Sequence, residues 1–190
     1  MELSKALRER RSIRKFKSDP VSREILEQLL ETVLWAPSGR NTQTWKFAVL
    51  TGKKKDEFLR LSEPTIAHID PELRELFSDK MRLFIHGYFR NFGGAPAIIV
   101  VVTEDSEKPE VAAANIQSAA AAMYNLLLLA HEAGLGTCWM TGHMAVEQEV
   151  MELIGCEGCR LVGVTPIGYP DQIPPVPPRK PGKILWLDEL

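Results

Sequence analysis

No Gly-x-Gly-x-x-Gly loop occurs anywhere in the chain, so the sequence offers no dinucleotide pyrophosphate site of the Rossmann kind. Charge of neither sign is in surplus: 23 Lys and Arg stand against 25 Asp and Glu, a net of -2, with a pI near 6.1. That balance argues against general binding to nucleic acid or to an anionic membrane, and any basic site must be local. No apolar run reads as a bilayer span, because the most apolar stretch, 118–130, is short and interrupted by Asn125. Cysteine is scarce, with three residues and therefore an odd count. Met1-Glu2 leads into a charged segment rather than a signal peptide, so free thiols in a reducing cytoplasm are expected. Cys156 and Cys159 form one Cys-x-x-Cys, but a pair supplies only two of the four ligands zinc needs. Cys138 falls in an expected strand, so the motif reads as a loop coincidence. His68, His86, His131 and His143 have no metal spacing and read as surface or packing residues. A chain of 190 residues, 45% hydrophobic and 25% charged, suits one soluble domain or the protomer of a compact oligomer.

Against these absences stands Arg10-Arg11-Ser12-Ile13-Arg14-Lys15-Phe16, four cations and a hydroxyl in seven residues. Leu3, Ala6 and Leu7 fit one face of a short helix, which would put Arg8, Arg10 and Arg11 at its C-terminal end, where cations suit the dipole. Alone, such a run reads as a solvated helix end. It is also what a phosphate requires, since arginine supplies forked, permanently charged donors.

Apolar residues at 25, 26, 29, 30, 33 and 34 predict an amphipathic helix over 21–35, with Ser22 as N-cap, a staple between Val21 and Leu26, and Pro37 as the stop. The loop 36–45 is rich in Ser, Asn, Gln and Thr, residues that serve a turn or the hydroxyls and ring edges of a polar ligand. A strand is expected at 45–51 and a charged surface helix at 53–61. Asp70-Pro71-Glu72 reads as the start of a helix to about 90 whose Phe77, Phe84, Tyr88 and Phe89 would be core. A doubly covered strand at 97–102 follows. The longest helix, 110–133, is so rich in Ala and Leu that it predicts burial against a second protomer, with Asn115, Gln117 and Asn125 pairing across that interface. Strands are expected at 135–140 and 160–167, the latter at an edge or bulge because of Pro166, with a helix at 146–154 between them. Seven prolines from Pro166 to Pro181 make a stiff arm, and Ile184 to Leu187 is expected to add as a strand to a sheet, that of a partner.

Taken in order, these motifs resemble the nitroreductase-like FMN-dependent oxidoreductases over essentially the whole length. The matching segments are 10–16, Ala36-Pro37-Ser38-Gly39-Arg40-Asn41 leading to Trp45, Gly94-Ala95-Pro96 and 125–130 with 134–139. The last is Pro166-Ile167-Gly168-Tyr169-Pro170 with Arg179 beyond. The resemblance implies an α+β fold, a mixed or antiparallel sheet of four strands plus a C-terminal strand exchanged with the partner, flanked by helices. It implies a single FMN-binding domain over 1–190, with 170–190 as a proline-rich dimer arm, and a cytoplasmic homodimer. Arg10, Arg11, Ser12 and Arg14 would hold the phosphate, ribityl chain and pyrimidine edge of FMN, and Arg179 would reach the phosphate. Pro37, Ser38 and Asn41 would come from the other protomer, and Met140, Thr141 and Gly142 would lie beside the ring. The implied reaction carries hydride from NADH or NADPH to a small nitroaromatic or quinone acceptor. Dehalogenation, enoate reduction, flavin cleavage or non-catalytic FMN binding are the alternatives. Since the flavin itself carries hydride, no catalytic side chain is expected, and no metal.

Overall fold

Strand β2 (Ala97–Glu104) is the centre of the molecule, and its residues from Ala97 to Thr103 are all buried. A run of Ile and Val with no polar alternation has to be covered on both faces, and it is. The structure is a computed structural model that describes residues 2–187; Met1 and 188–190, the last part of the expected arm, lie outside the described residues. β1 (Trp45–Leu50) and β4 (Cys159–Gly168) flank β2, and β3 (Gly136–Thr137) lies beyond β4, in an all-antiparallel sheet of order β1-β2-β4-β3.

One face of the sheet is covered by α2 (Arg23–Val33) and α6 (Pro109–Glu132), whose Leu26, Leu29, Val33, Ala122, Met123 and Leu126 pack with Ile99 and Val101. α6 is long and apolar enough to cross a bilayer on length and composition alone, yet its buried face is the core of this layer, so the helix is explained by packing. The other face is covered by α3 (Gly52–Ser62), α4 (Thr65–Leu76), α5 (Asp79–Asn91) and α7 (Glu147–Ile154), with Phe58, Tyr88, Phe89 and Phe92 against Ile98, Val100 and Val102. α1 (Leu3–Glu9) lies near the C-terminal end of α6. The expected Ser22 cap is present, accepting from the Ile25 N–H at 3.3 Å.

Several expectations are corrected. Asp70 does not cap a helix over 71–90. Pro71 sits inside α4, and the chain breaks at Phe77, after which Ser78 caps α5 by accepting from the Met81 N–H at 3.4 Å. The Asp70 carboxylate is instead taken by Arg74 and His86, at 2.7 and 2.8 Å, tying α4 to α5. Only Tyr88 and Phe89 of the four aromatics are core; Phe77 and Phe84 are exposed. Asn115 needs no partner protomer, because its Nδ2 donates to the Glu104 carbonyl at 3.1 Å within the chain.

The expected strand over 135–140 shrinks to two residues plus an isolated bridge at Met140. Met140 and Val164 exchange both backbone bonds, at 2.8 and 2.9 Å, so the backbone of Pro166, two residues on, faces the same side. Having no N–H to offer, Pro166 leaves a gap there, and the Cys138 N–H turns to the Thr165 side-chain oxygen at 3.0 Å. Pro166 therefore sits in a central strand; the register shift of β4 lies earlier, opposite Val101 and Val102. From Asp171 to Leu187 the described residues form no helix or strand, and Ile184 to Leu187 are exposed.

Candidate functional site

The basic segment is fastened to the open edge of the sheet rather than left as a solvated helix end. Ser12 bridges Thr137 in parallel, and the Ile13 N–H donates to the Thr137 carbonyl at 2.8 Å. Further on, Phe16 N–H donates to Gly93, Lys17 N–H to Tyr169 and Asp171 N–H to Lys15, each at 2.9 Å. Ile13 and Phe16 turn inward with Ala95. Two glycines make room: a side chain at Gly136 would collide with Ile13, and one at Gly93 would collide with the backbone of Arg14. Gly93 also has φ +65, so both the close approach and the left-handed backbone call for glycine.

That anchoring sorts the cations. Arg11 Nη1 donates to the carbonyls of Arg8 and Arg10, each at 2.7 Å, closing the end of α1. The Nε atoms of Arg10 and Arg11 are nonetheless buried without a partner. Unpaired buried donors on two adjacent guanidinium groups are costly unless something anionic accepts from them. Both arginines border a cavity of about 370 Å³ with Ile13, His131, Thr137 and Gln172. Arg14 points the other way, exposed at a cleft of about 190 Å³ walled by Tyr88, Cys138, Met140, Thr141 and Gly142. A side chain at Gly142 would press on the Phe89 ring at 3.2 Å.

Of the residues singled out in the sequence, Arg14, Met140, Thr141 and Gly142 thus share one cleft, Arg10 and Arg11 border a second cavity, and Ser12, which joins them along the chain, lines neither. Pro37, Ser38 and Asn41 are elsewhere. Their loop is held at the N-terminal half of α6, where the Gly39 N–H donates to Ser118 Oγ at 3.2 Å. His131, which borders the Arg10 cavity, is thirteen residues further along the same helix, about 20 Å at 1.5 Å per residue. The loop has a set shape: Arg40, Asn41 and Gln43 all have positive φ, and Ser38 Oγ accepts from the Gln43 N–H at 3.0 Å. Arg179 lies in the exposed arm, outside both cavities.

Tyr88 and Cys138 were missed by sequence reasoning. Cys138 had a signal, being two residues before Met140 and so on the same side of an extended chain; Tyr88 had only its place on the aromatic face of α5. The Tyr88 hydroxyl is buried with no hydrogen-bond partner, and burial followed by the neighbouring Cys138 pushes its ionisation well above the usual phenol range. It stays a neutral phenol. Among the described residues no three His, Cys, Asp or Glu side chains gather into a metal-holding group.

The donor set fits FMN in kind: unpartnered guanidinium donors for a phosphate at one end, a further cation at a slot lined by rings, sulfur and a glycine turn at the other. Fold and site together define an α+β protein with a built place for a flat ligand carrying an anionic tail. The model of the nitroreductase family matches residues 7–169, and the chain belongs to that family. A Bacillus subtilis protein provisionally named NAD(P)H nitroreductase YfhC is 31% identical over 181 residues, covering 92% of this chain and 88% of its own. The iodotyrosine deiodinase of Thermotoga neapolitana is 30% identical over 177 residues, 90% of each chain. Among solved structures, an oxidised iodotyrosine deiodinase bound to FMN and 3-iodo-L-tyrosine superposes with a TM-score of 0.76 at 26% identity over all of both chains. The four-stranded antiparallel sheet with its helices is the nitroreductase-like fold.

Proposed function

We propose that this protein is a cytoplasmic FMN-dependent oxidoreductase that moves hydride from NADH or NADPH to a small, flat, electron-poor acceptor of nitroaromatic or quinone type. The observation that carries the reading is the pair of buried, unpartnered Nε atoms on Arg10 and Arg11 beside the Arg14 cleft. Arg10 and Arg11, with Ser12, hold the phosphate and ribityl chain, and Arg14 meets the pyrimidine edge of the ring. Met140, Thr141 and Gly142 form the wall beside it and keep water from that face. Bound FMN supplies the hydride-carrying chemistry, so no side chain has to act as nucleophile or base.

The working unit is a homodimer of single-domain chains with 170–190 as the arm. Support comes from the position of the 37–41 loop, which one protomer holds about 20 Å from its own cavity and which a partner can present. Pro37, Ser38 and Asn41 of the partner subunit would then close the site, and Arg179 would reach the phosphate from the arm. The free edge of β1 lies beside an apolar groove of about 660 Å³ lined by Val21, Leu26, Leu30, Val49 and Pro96. Exposed Ile184 to Leu187 of a second copy suits its apolar lining in chemistry.

A second reading, reductive dehalogenation of an aromatic amino acid, is favoured by the 30% identity to the Thermotoga deiodinase. Against it, among the described residues no acidic side chain borders the Arg14 cleft to pair a substrate ammonium. The test is heat release and chromatography of the bound flavin, then anaerobic addition of NAD(P)H and a panel of nitrobenzoate, quinone and iodotyrosine. Recovery of FMN, loss of its yellow colour with NAD(P)H, and reoxidation by the first two are expected. FAD, no flavin after reconstitution, or a colour that survives NAD(P)H would overturn the proposal, and preference for iodotyrosine would favour the second reading.

A further inference from the structure

We propose that Cys156 and Cys159, at the turn between α7 and β4, form a reversible dithiol–disulfide pair that exchanges with small-molecule disulfides. Spacing alone leaves this Cys-x-x-Cys a coincidence; the geometry does not. α7 ends on Gly155 at φ +65, whose N–H donates to the Glu152 carbonyl at 3.3 Å, while the Cys156 N–H donates to Met151 at 3.0 Å. That double closure fixes Cys156 at the residue after the helix cap. The Cys159 N–H then donates back to the Cys156 carbonyl at 3.1 Å, and Gly158 takes φ +83 at the third position of the turn. The Asp105 N–H holds Gly158 from outside at 3.4 Å.

A turn of this kind keeps its first and last Cα within about 7 Å, and disulfides span about 4.4–6.8 Å. The backbone of this turn, closed by the Cys159 N–H on the Cys156 carbonyl, thus already holds the two residues at a separation that a disulfide can span. Both are half-buried against the core that includes Val150 and Leu161, whereas Cys138 is buried. Among the described residues no further His, Cys, Asp or Glu completes a metal group with them. Outside oxidising compartments, bridges of this sort are transient and serve redox sensing or exchange.

The order of events follows from the surroundings. Cys159 is drawn into β4 opposite Glu104, whereas Cys156 stands on the turn outside helix and strand, so Cys156 meets the incoming disulfide first. Its thiolate attacks one sulfur of RSSR, the S–S bond breaks, and RS⁻ leaves as the mixed disulfide forms. Cys159 then gives up its proton and attacks Cys156 Sγ, releasing the second RS⁻. The two protons lost by the protein end on the two departing thiols, so the dithiol is oxidised by two electrons and the small disulfide is reduced to 2 RSH.

The test uses the folded full-length protein with its flavin, exposed to oxidised glutathione, acid-quenched and weighed intact. Reactive thiols should fall from the three of the chain to one, with a mass lower by two hydrogens and no retained glutathione. Digestion should yield a peptide bridged between Cys156 and Cys159, and a thiol reductant should reverse both changes while near-UV circular dichroism stays native. Cys159→Ser should trap one glutathione on Cys156. Retention of all three thiols, loss of thiols only with loss of the native spectrum, a bridge to Cys138 or between chains, or no adduct on Cys159→Ser would each overturn the proposal.

Discussion

In the proposed site, Arg14 is the residue through which the basic segment would touch chemistry. It is exposed at the cleft while Arg10 and Arg11 face the other cavity, and beside bound FMN it would favour negative charge on the N1–O2 edge of the reduced flavin. A fixed cation a few ångström away is worth on the order of a few kcal/mol before screening, and a two-electron couple moves about 30 mV per 1.4 kcal/mol. Arg14→Gln should therefore lower the potential of bound FMN by tens of millivolts and slow its reduction by NAD(P)H at flavin saturation. Arg179→Gln should weaken FMN binding and leave the potential of the bound fraction nearly unchanged. Redox titration of both saturated variants checks this, and equal potentials in Arg14→Gln and the parent would remove Arg14 from the mechanism. Gly93 acts on the same residue from behind. Gly93→Ala drives a Cβ into the Arg14 backbone at a positive φ, so it should cost about 1–3 kcal/mol of stability and weaken flavin binding, measured by urea midpoint and FMN titration. The arginines were legible because their chemistry is local and unusual. Tyr88 was not, since a phenol among phenylalanines announces packing, and only the tertiary fold shows its hydroxyl without a partner.

At the scale of elements, the turn Gly142–Val146 that carries the cleft wall rests on a buried imidazole. His143 is packed among Phe58, Phe89 and Phe92, with ring centroids 5.2 to 5.3 Å away and both nitrogens unpartnered. Burial pushes its ionisation from 6.5 down to about 4. Between those values the unfolded chain takes up a proton there and the folded chain does not, so stability falls as pH drops through that window. The loss reaches about 3 kcal/mol, and above pH 6.5 the residue adds no pH dependence. Urea midpoints measured from pH 7 to pH 4 should show this slope, and His143→Leu should flatten it; a variant as steep as the parent would assign the acid sensitivity to other groups. α2, with one strong helical period, and α6 and β2, with long apolar runs, were readable from the sequence. α4 and α5 were not, because Asp70-Pro71 imitates a helix start while the working cap is the plainer Ser78. The shortness of β3 was hidden too, since it depends on a proline in a neighbouring strand.

For the whole molecule, the proposed working unit is a dimer that rests on the arm and the 37–41 loop. Ending the chain after Pro170 should weaken both self-association and FMN binding, read by light scattering and flavin titration at micromolar concentration. A truncated monomer that keeps its FMN would show the dimer to be dispensable. The proposal of a partner started from the composition of α6 and from the prolines. The groove between α2 and β1 was not legible in the sequence, because it exists only once both have packed. The stitching of the basic segment also sets an order of events during synthesis. Ser12 and Ile13 pair with Thr137, and Lys17 with Tyr169, so the basic segment cannot settle until residues far along the chain have been made. Contacts so distant in sequence close late and slowly. Until Thr137 and Tyr169 have been made, a nascent chain would carry its cationic segment unfastened, and the proposed flavin site built on it would stay incomplete.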